Sequence, residues 1–161
     1  MRIVSLTLII NTVLIFACTD SKKEKFDIDL LPKNWIQLTE KSGKLVVYNS
    51  CDMGNSLLTI TKNKEHFELL LHGTQEDYDF EIIDVKHYLD TVFIRAKWKE
   101  NNESQLFKFF WTDKQNGLGR WITTYSNGFT SNNIFVVSEK QTNFKTINQP
   151  CKECWDECDE K

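Results

Sequence analysis

Proline and glycine are scarce in this chain. Its 161 residues include only two prolines, Pro32 and Pro150, and six glycines. Because proline has no amide hydrogen to donate to a β-ladder, it is confined to edge strands, strand starts and bulges. The stretch between the two prolines is therefore free to form strands that pair on both sides.

An excess of positive charge is also lacking. The chain has 20 Lys and Arg against 23 Asp and Glu, which gives a formal net charge of −3. Binding to a phosphate backbone needs a concentrated basic surface. The only basic run, Lys22-Lys23-Glu24-Lys25, lies near the N-terminus, where we interpret it as part of a solvated tether. We therefore expect no nucleic acid partner.

The motifs of common enzyme classes are missing as well. The sequence has no glycine-rich phosphate loop and no serine in a glycine elbow. Asp77, Asp79 and Glu81 could act as carboxylate pairs, but we interpret them as residues that solvate the start of a strand. We therefore expect no enzymatic activity and no cofactor.

The N-terminus carries the most specific motif. An apolar stretch from Ile3 to Ala17 follows the single cation Arg2, and it is too short for a comfortable membrane span but suits a secretory signal. It ends in Ile15-Phe16-Ala17-Cys18, which resembles the lipobox of bacterial lipoproteins: an aliphatic residue three places before a cysteine, with a small residue directly before it.

This resemblance implies a processing route. A signal peptide of residues 1–17 would be removed, and the thiol of Cys18 would carry diacylglycerol, usually with a further acyl chain on its amino group. Two or more acyl chains anchor a protein stably. The resemblance thus implies a lipid-anchored protein of the bacterial cell envelope, whose partner is the bilayer; we expect the outer membrane, with the protein facing the periplasm or the surface. Residues 18–31 are polar and predict a flexible tether.

The rest of the chain predicts an all-β domain over residues 32–149. Short apolar stretches alternate with turn signals, as in Thr91–Trp98, where every second residue is apolar or aromatic. Asn116-Gly117 and Asn127-Gly128 suit tight hairpins, as do Ser42-Gly43, Asn63-Lys64 and Leu89-Asp90 less strongly. The predicted strands are Trp35–Thr39, Lys44–Asn49, Leu57–Thr61, Glu65–His72, Phe80–Tyr88, Thr91–Trp98, Gln105–Thr112, Arg120–Tyr125 and Ile134–Ser138.

Eight or nine strands joined by short loops predict an antiparallel meander. Such a sheet must close or stack to hide its edges, so we expect a lipocalin-like barrel or a sandwich. The barrel is favoured because sequential hairpins give up-and-down order. Aromatic residues such as Phe107, Phe109, Phe110, Trp111 and Trp121 could line a ligand cavity in it, although core packing is their commoner role.

The C-terminal residues 150–161 form a tail rich in cysteine. After Pro150, the spacing of Cys151, Cys154 and Cys158 predicts a short helix with the three thiols on one face. With Cys51, they make an even number of cysteines beside Cys18, which in an exported protein suggests disulfides. Cys154 and Cys158 would project from successive turns, too far apart for a relaxed bridge, so we expect Cys51 to pair with one of them.

Two clusters of polar side chains, the cysteines and the histidines, could instead bind a metal. The four thiols of Cys51, Cys151, Cys154 and Cys158 could hold zinc or monovalent copper, or act in redox chemistry. His66, Glu68 and His72 share a strand face and His87 lies on a later predicted strand, but exposed strand histidines are commoner than metal ligands. The leading hypothesis is therefore a membrane-anchored binding or interaction module, and the alternative is a thiolate metal-binding or redox protein.

Overall fold

The computed structural model describes residues 26–51, 55–64, 66–73 and 76–150. The predicted signal peptide, Cys18 and the predicted tail helix with its three cysteines lie outside these residues. Within them, no helix is long and apolar enough to cross a bilayer. The strands are β1 Asn34–Lys41, β2 Lys44–Asn49, β3 Leu57–Asn63, β4 His66–His72, β5 Asp77–Tyr88, β6 Thr91–Trp98, β7 Ser104–Asp113, β8 Leu118–Thr124, β9 Thr130–Val137 and β10 Thr146–Asn148.

Eight of these strands form a closed antiparallel barrel. Neighbours pair in the order β1, β3, β4, β5, β6, β7, β8, β9, and β9 returns to pair with β1, where Trp35 lies opposite Val137. β2 continues the hairpin from β1 outside this ring, and β10 adds to β2 in parallel. The predicted all-β barrel is confirmed, and each of the nine predicted strands has an observed counterpart.

The turns follow the predicted positions. Ser42 and Gly43 both have positive φ (51° and 73°), as a two-residue hairpin turn requires. Gly117 and Gly128 have φ of 71° and 83°, whereas their preceding asparagines do not. Lys64 and Leu89 also adopt the left-handed conformation. Each of the five predicted turns thus contains at least one residue with positive φ.

Alternate residues of each strand fill the barrel interior. Trp35, Phe109 and Trp121 pack edge-on or tilted against one another, with ring centroids 4.9–5.8 Å apart. Gly119 faces them, and a Cβ there would collide with Phe109 and approach Trp35. The aromatic rings therefore occupy the space that a larger residue at position 119 would need.

A single 3₁₀ turn, η1 (Ile28–Leu30), closes one end of the barrel. Ile28 and the following Leu31 are buried in the core, and the indole N–H of Trp35 donates to the carbonyl of Pro32 over 2.9 Å. The prediction that a flexible tether extends to residue 31 is thus wrong at its end. The packed part begins before Pro32 because two apolar side chains three residues apart reach the core.

A second apolar cluster lies outside the barrel. Ile36, Leu38 and Val136 point outward from β1 and β9, and Val47 of β2 covers them together with Phe144. Phe144 follows the second 3₁₀ helix, η2 (Ser138–Asn143). This cluster holds β2 and β10 on the barrel wall and brings the C-terminal end of the described chain beside Cys51.

Candidate ligand-binding site

The two ends of the barrel differ in the chemistry of their interior. The closed end is the one with η1, where β5 joins β6 and β7 joins β8. The mouth is the opposite end, where β6 joins β7 and β8 joins β9. Aromatic and aliphatic side chains fill the closed end, whereas polar side chains enter the interior toward the mouth. This contrast makes the mouth the part of the barrel suited to bind a ligand.

Polar residues take inward-facing positions on several strands near the mouth. On β7, Gln105 continues the inward series of Phe107 and Phe109, and on β8 Thr123 follows Trp121. Gln105 and Thr123 are each 5% exposed and are the two buried polar residues of the described chain. Because burial of polar groups is unfavourable without partners, their joint position at the mouth calls for an explanation.

A cavity of about 200 Å³ lies at the mouth. Trp121, Leu58 and Phe135 supply apolar walls, and none of the described residues around the cavity is charged. The polar lining residues offer amide and hydroxyl groups: Gln37, Ser56, Tyr78, Thr123, Tyr125, Ser131 and Asn133. The cavity therefore combines aromatic surface with neutral hydrogen-bonding groups.

Three buried polar atoms find no hydrogen-bond partner among the described residues. They are the indole nitrogens of Trp98 and Trp121 and the amide oxygen of Gln105. Trp121 lines the cavity, whereas Gln105 lies on β7 in the row of inward-facing residues that contains Phe107. Each buried group left without a partner costs about 1–3 kcal/mol. Such groups are rare in native proteins and mark places where water or a ligand completes the bonding.

Charged groups stay on the outer surface of the wall. Lys99 lies 2.9 Å from carboxylate oxygens of both Glu68 and Asp79. The hydrogen bond from Lys99 lowers the pKa of Glu68, and the hydrogen bonds with Asp79 and Glu68 raise the pKa of Lys99.

The hydroxyl of Tyr78 donates to Glu76, which raises the pKa of Tyr78. The lining hydroxyl of Tyr78 is thus kept protonated.

The histidines do not come together. His66 lies 3.8 Å from Glu81, and His72 lies 2.9 Å from Asp77 at the opposite end of β4. His87 packs against Phe26 instead, with ring centroids 5.2 Å apart. No group of three potential metal ligands forms within the described residues.

The acidic residues at the start of β5 each lie next to a basic side chain. Asp77 and Glu81 contact the two β4 histidines, and Asp79 contacts Lys99. Each of these three carboxylates thus has a basic neighbour, as expected for polar residues on the solvent-exposed face of a strand.

Cys51 is disulfide-bonded. The remaining cysteines, Cys18, Cys151, Cys154 and Cys158, lie outside the described residues. The amide of Cys51 donates to the side-chain oxygen of Gln149 over 3.4 Å, and the amide of Gln149 donates to the carbonyl of Asn49 over 2.8 Å. The chain directly before the tail therefore runs alongside Cys51.

The aromatic residues singled out in the sequence have different roles. Phe107, Phe109 and Trp121 are buried in the barrel, whereas Phe110 points outward from β7. Trp121 reaches both the core and the cavity. The sequence reasoning missed Gln105, Thr123 and Asn133, although their alternation with inward-facing aromatic residues was a usable signal.

Comparisons with known proteins give no assignment. The chain matches no family model, and neither curated proteins nor solved structures provide a match. Its function must therefore be inferred from the geometry and chemistry of the barrel itself.

Proposed function

We propose that this protein is an exported lipoprotein whose barrel binds a small uncharged ligand in its mouth. The observation that carries the proposal is the indole nitrogen of Trp121, which is buried, has no hydrogen-bond partner among the described residues and belongs to a side chain that lines the cavity. An indole N–H can only donate, so a ligand with a hydroxyl or carbonyl oxygen can satisfy it. Burial of this group in a low-dielectric interior strengthens such a bond.

The lining favours a sugar ring over other neutral ligands. A sugar has an apolar face that stacks on aromatic side chains such as Trp121, and it has hydroxyls around its edge that match the amides of Gln37 and Asn133. A drug-sized molecule needs a pocket of about 300–1,000 Å³. The cavity of about 200 Å³ suits one ring, either a monosaccharide or the end of a longer glycan.

Lipid attachment at Cys18 is the second part of the proposal. Its support is the motif Ile15-Phe16-Ala17-Cys18 at the end of an apolar segment. The anchor would hold the barrel at a membrane of the cell envelope, where neutral glycans are accessible to it. Intact mass of the protein purified from the envelope tests this part, because acylation adds a defined mass and the Cys18→Ser variant lacks it.

We infer that Cys151 is the disulfide partner of Cys51. Asn148 pairs with Asn49, and Gln149 contacts the amide of Cys51, so Cys151 follows two residues after a contact with Cys51 itself. This register favours Cys151 over Cys154 and Cys158, which the helical spacing favoured. A sulfur held in a disulfide is not a thiolate ligand, so the metal-site alternative that uses Cys51 is disfavoured.

The substitution Gln37→Leu tests the binding site, because Gln37 lines the cavity. We expect it to weaken binding of a neutral monosaccharide about tenfold, because one hydrogen bond to the ligand is lost. It should change the stability of the unliganded protein by no more than about 0.5 kcal/mol, because Gln37 is only half-buried. Isothermal titration with glucose, galactose and N-acetylglucosamine, together with thermal unfolding, measures both effects.

Gln141→Leu is the matched control, since Gln141 is exposed on η2. It should change neither affinity nor stability. Unchanged affinity of the Gln37→Leu variant would contradict binding of the ligand in this cavity. Absence of saturable binding of every neutral sugar at millimolar concentration would refute the proposed ligand class.

A further inference from the structure

Exposed apolar side chains concentrate at the closed end of the barrel. Leu89 is 74% exposed and Leu30 is 73% exposed, which makes them the two most exposed large apolar residues of the described chain. Tyr88, beside Leu89 at the tip of the β5–β6 hairpin, is 48% exposed. A leucine exposed alone is common, whereas a group of exposed apolar side chains at one end of the molecule marks a surface that contacts a membrane or a partner.

The N-terminal chain joins the barrel at this same end. Phe26, the first described residue, packs on His87, directly before Tyr88. Cys18 lies eight residues earlier in the sequence. Eight extended residues span at most about 28 Å. An acyl chain on Cys18 would therefore hold the closed end, and not the mouth, close to the bilayer.

Basic side chains lie on the wall beside the hairpin. A groove of about 480 Å³ there is lined by Lys86, Arg95 and Phe93, and Lys108 lies with its Nζ 5.9 Å from the centroid of the Phe93 ring. Asp84 pairs with Lys86 at 3.0 Å and with Arg95 at 3.8 Å, which leaves an excess of positive charge. This wall is complementary to anionic lipid headgroups.

We propose that the closed end docks on the membrane that carries the lipid anchor. Leu30, Tyr88 and Leu89 enter the interface between headgroups and acyl chains, while Lys86 and Arg95 contact anionic headgroups. The inference rests on the proposed acylation of Cys18. It adds an orientation: the mouth faces away from the bilayer, toward the aqueous compartment that would hold the ligand.

Hydrogen exchange on the full-length lipidated protein tests the docking. The protein is placed on vesicles of phosphatidylethanolamine and phosphatidylglycerol and compared with the Cys18→Ser form in solution. We expect several-fold slower exchange of the amides at 88–91 on vesicles, with no change at 126–129 in the mouth hairpin. The double variant Leu30→Asp/Leu89→Asp should lose this protection; aspartate tolerates the left-handed conformation of residue 89.

Phe129→Asp is the control variant, because Phe129 is 64% exposed at the mouth. It should retain the protection at 88–91. If vesicles change the exchange at 88–91 and at 126–129 equally, in a protein that carries acyl mass, docking of the closed end is overturned and the anchor stands. Absence of acyl mass would instead overturn the anchor and, with it, the docking. If the amides at 88–91 stay protected on vesicles of phosphatidylcholine alone, the exposed apolar side chains suffice for docking and Lys86 and Arg95 have no role in it. If this protection is lost, the contact of Lys86 and Arg95 with anionic headgroups is confirmed.

Discussion

Trp35→Ala should destabilise the protein by about 3–5 kcal/mol, as expected for removing a buried tryptophan. Trp35 is 1% exposed and contacts the rings of Phe109, Trp111 and Trp121. It also donates to the carbonyl of Pro32, so its loss removes a tie between η1 and the barrel. Urea unfolding followed by far-ultraviolet circular dichroism measures the change.

Trp111→Ala is the matched control for this prediction. Trp111 is only half-buried at the same end of the barrel. Its removal should therefore cost clearly less than that of Trp35. Equal losses, or a loss below about 1 kcal/mol for Trp35→Ala, would contradict the placement of Trp35 at the centre of the core.

Cys51→Ala should also have a large effect on stability. A bridge from Cys51 to Cys151 closes a loop of about one hundred residues, and loss of a native disulfide typically costs about 2–5 kcal/mol. One thiol more than in the wild type should become reactive in the unreduced protein. Thiol counting and urea unfolding of the oxidised protein measure both results.

Cys151→Ala should reproduce the effect of Cys51→Ala, and the double variant should be no less stable than either single one. Cys154→Ala is the control and should leave the Cys51 bridge intact. If Cys154→Ala, and not Cys151→Ala, releases the thiol of Cys51, our assignment of the partner is wrong.

Much of the barrel could be predicted because it depends on local signals. The bounds of β2 and β6 were predicted to the residue, since alternation and turn residues mark both ends. β10 was missed because three residues are too few for an alternation to predict a strand, and they owe their conformation to pairing with β2. η1 was missed because Ile28 and Leu31 lie among acidic residues that resemble a tether.

The site was harder to predict than the fold. Gln105 alternates with Phe107 and Phe109, so its inward orientation follows from the sequence. Whether its amide oxygen has a partner depends on residues across the barrel, which only the closed structure brings together. Likewise, the short spatial distance between Cys51 and Gln149, which are 98 residues apart in the sequence, exists only in the fold, through the β2–β10 pairing.

The most direct test of ligand binding in the mouth is the response of the indole N–H resonances. In a ¹⁵N-labelled protein titrated with N-acetylglucosamine, we expect the Trp121 indole signal to shift as its N–H gains a partner. The Trp35 indole should not shift, because it already donates to Pro32 at the closed end. Unchanged Trp121 at saturating ligand, or equal shifts of both indoles, would contradict a binding site in the barrel mouth.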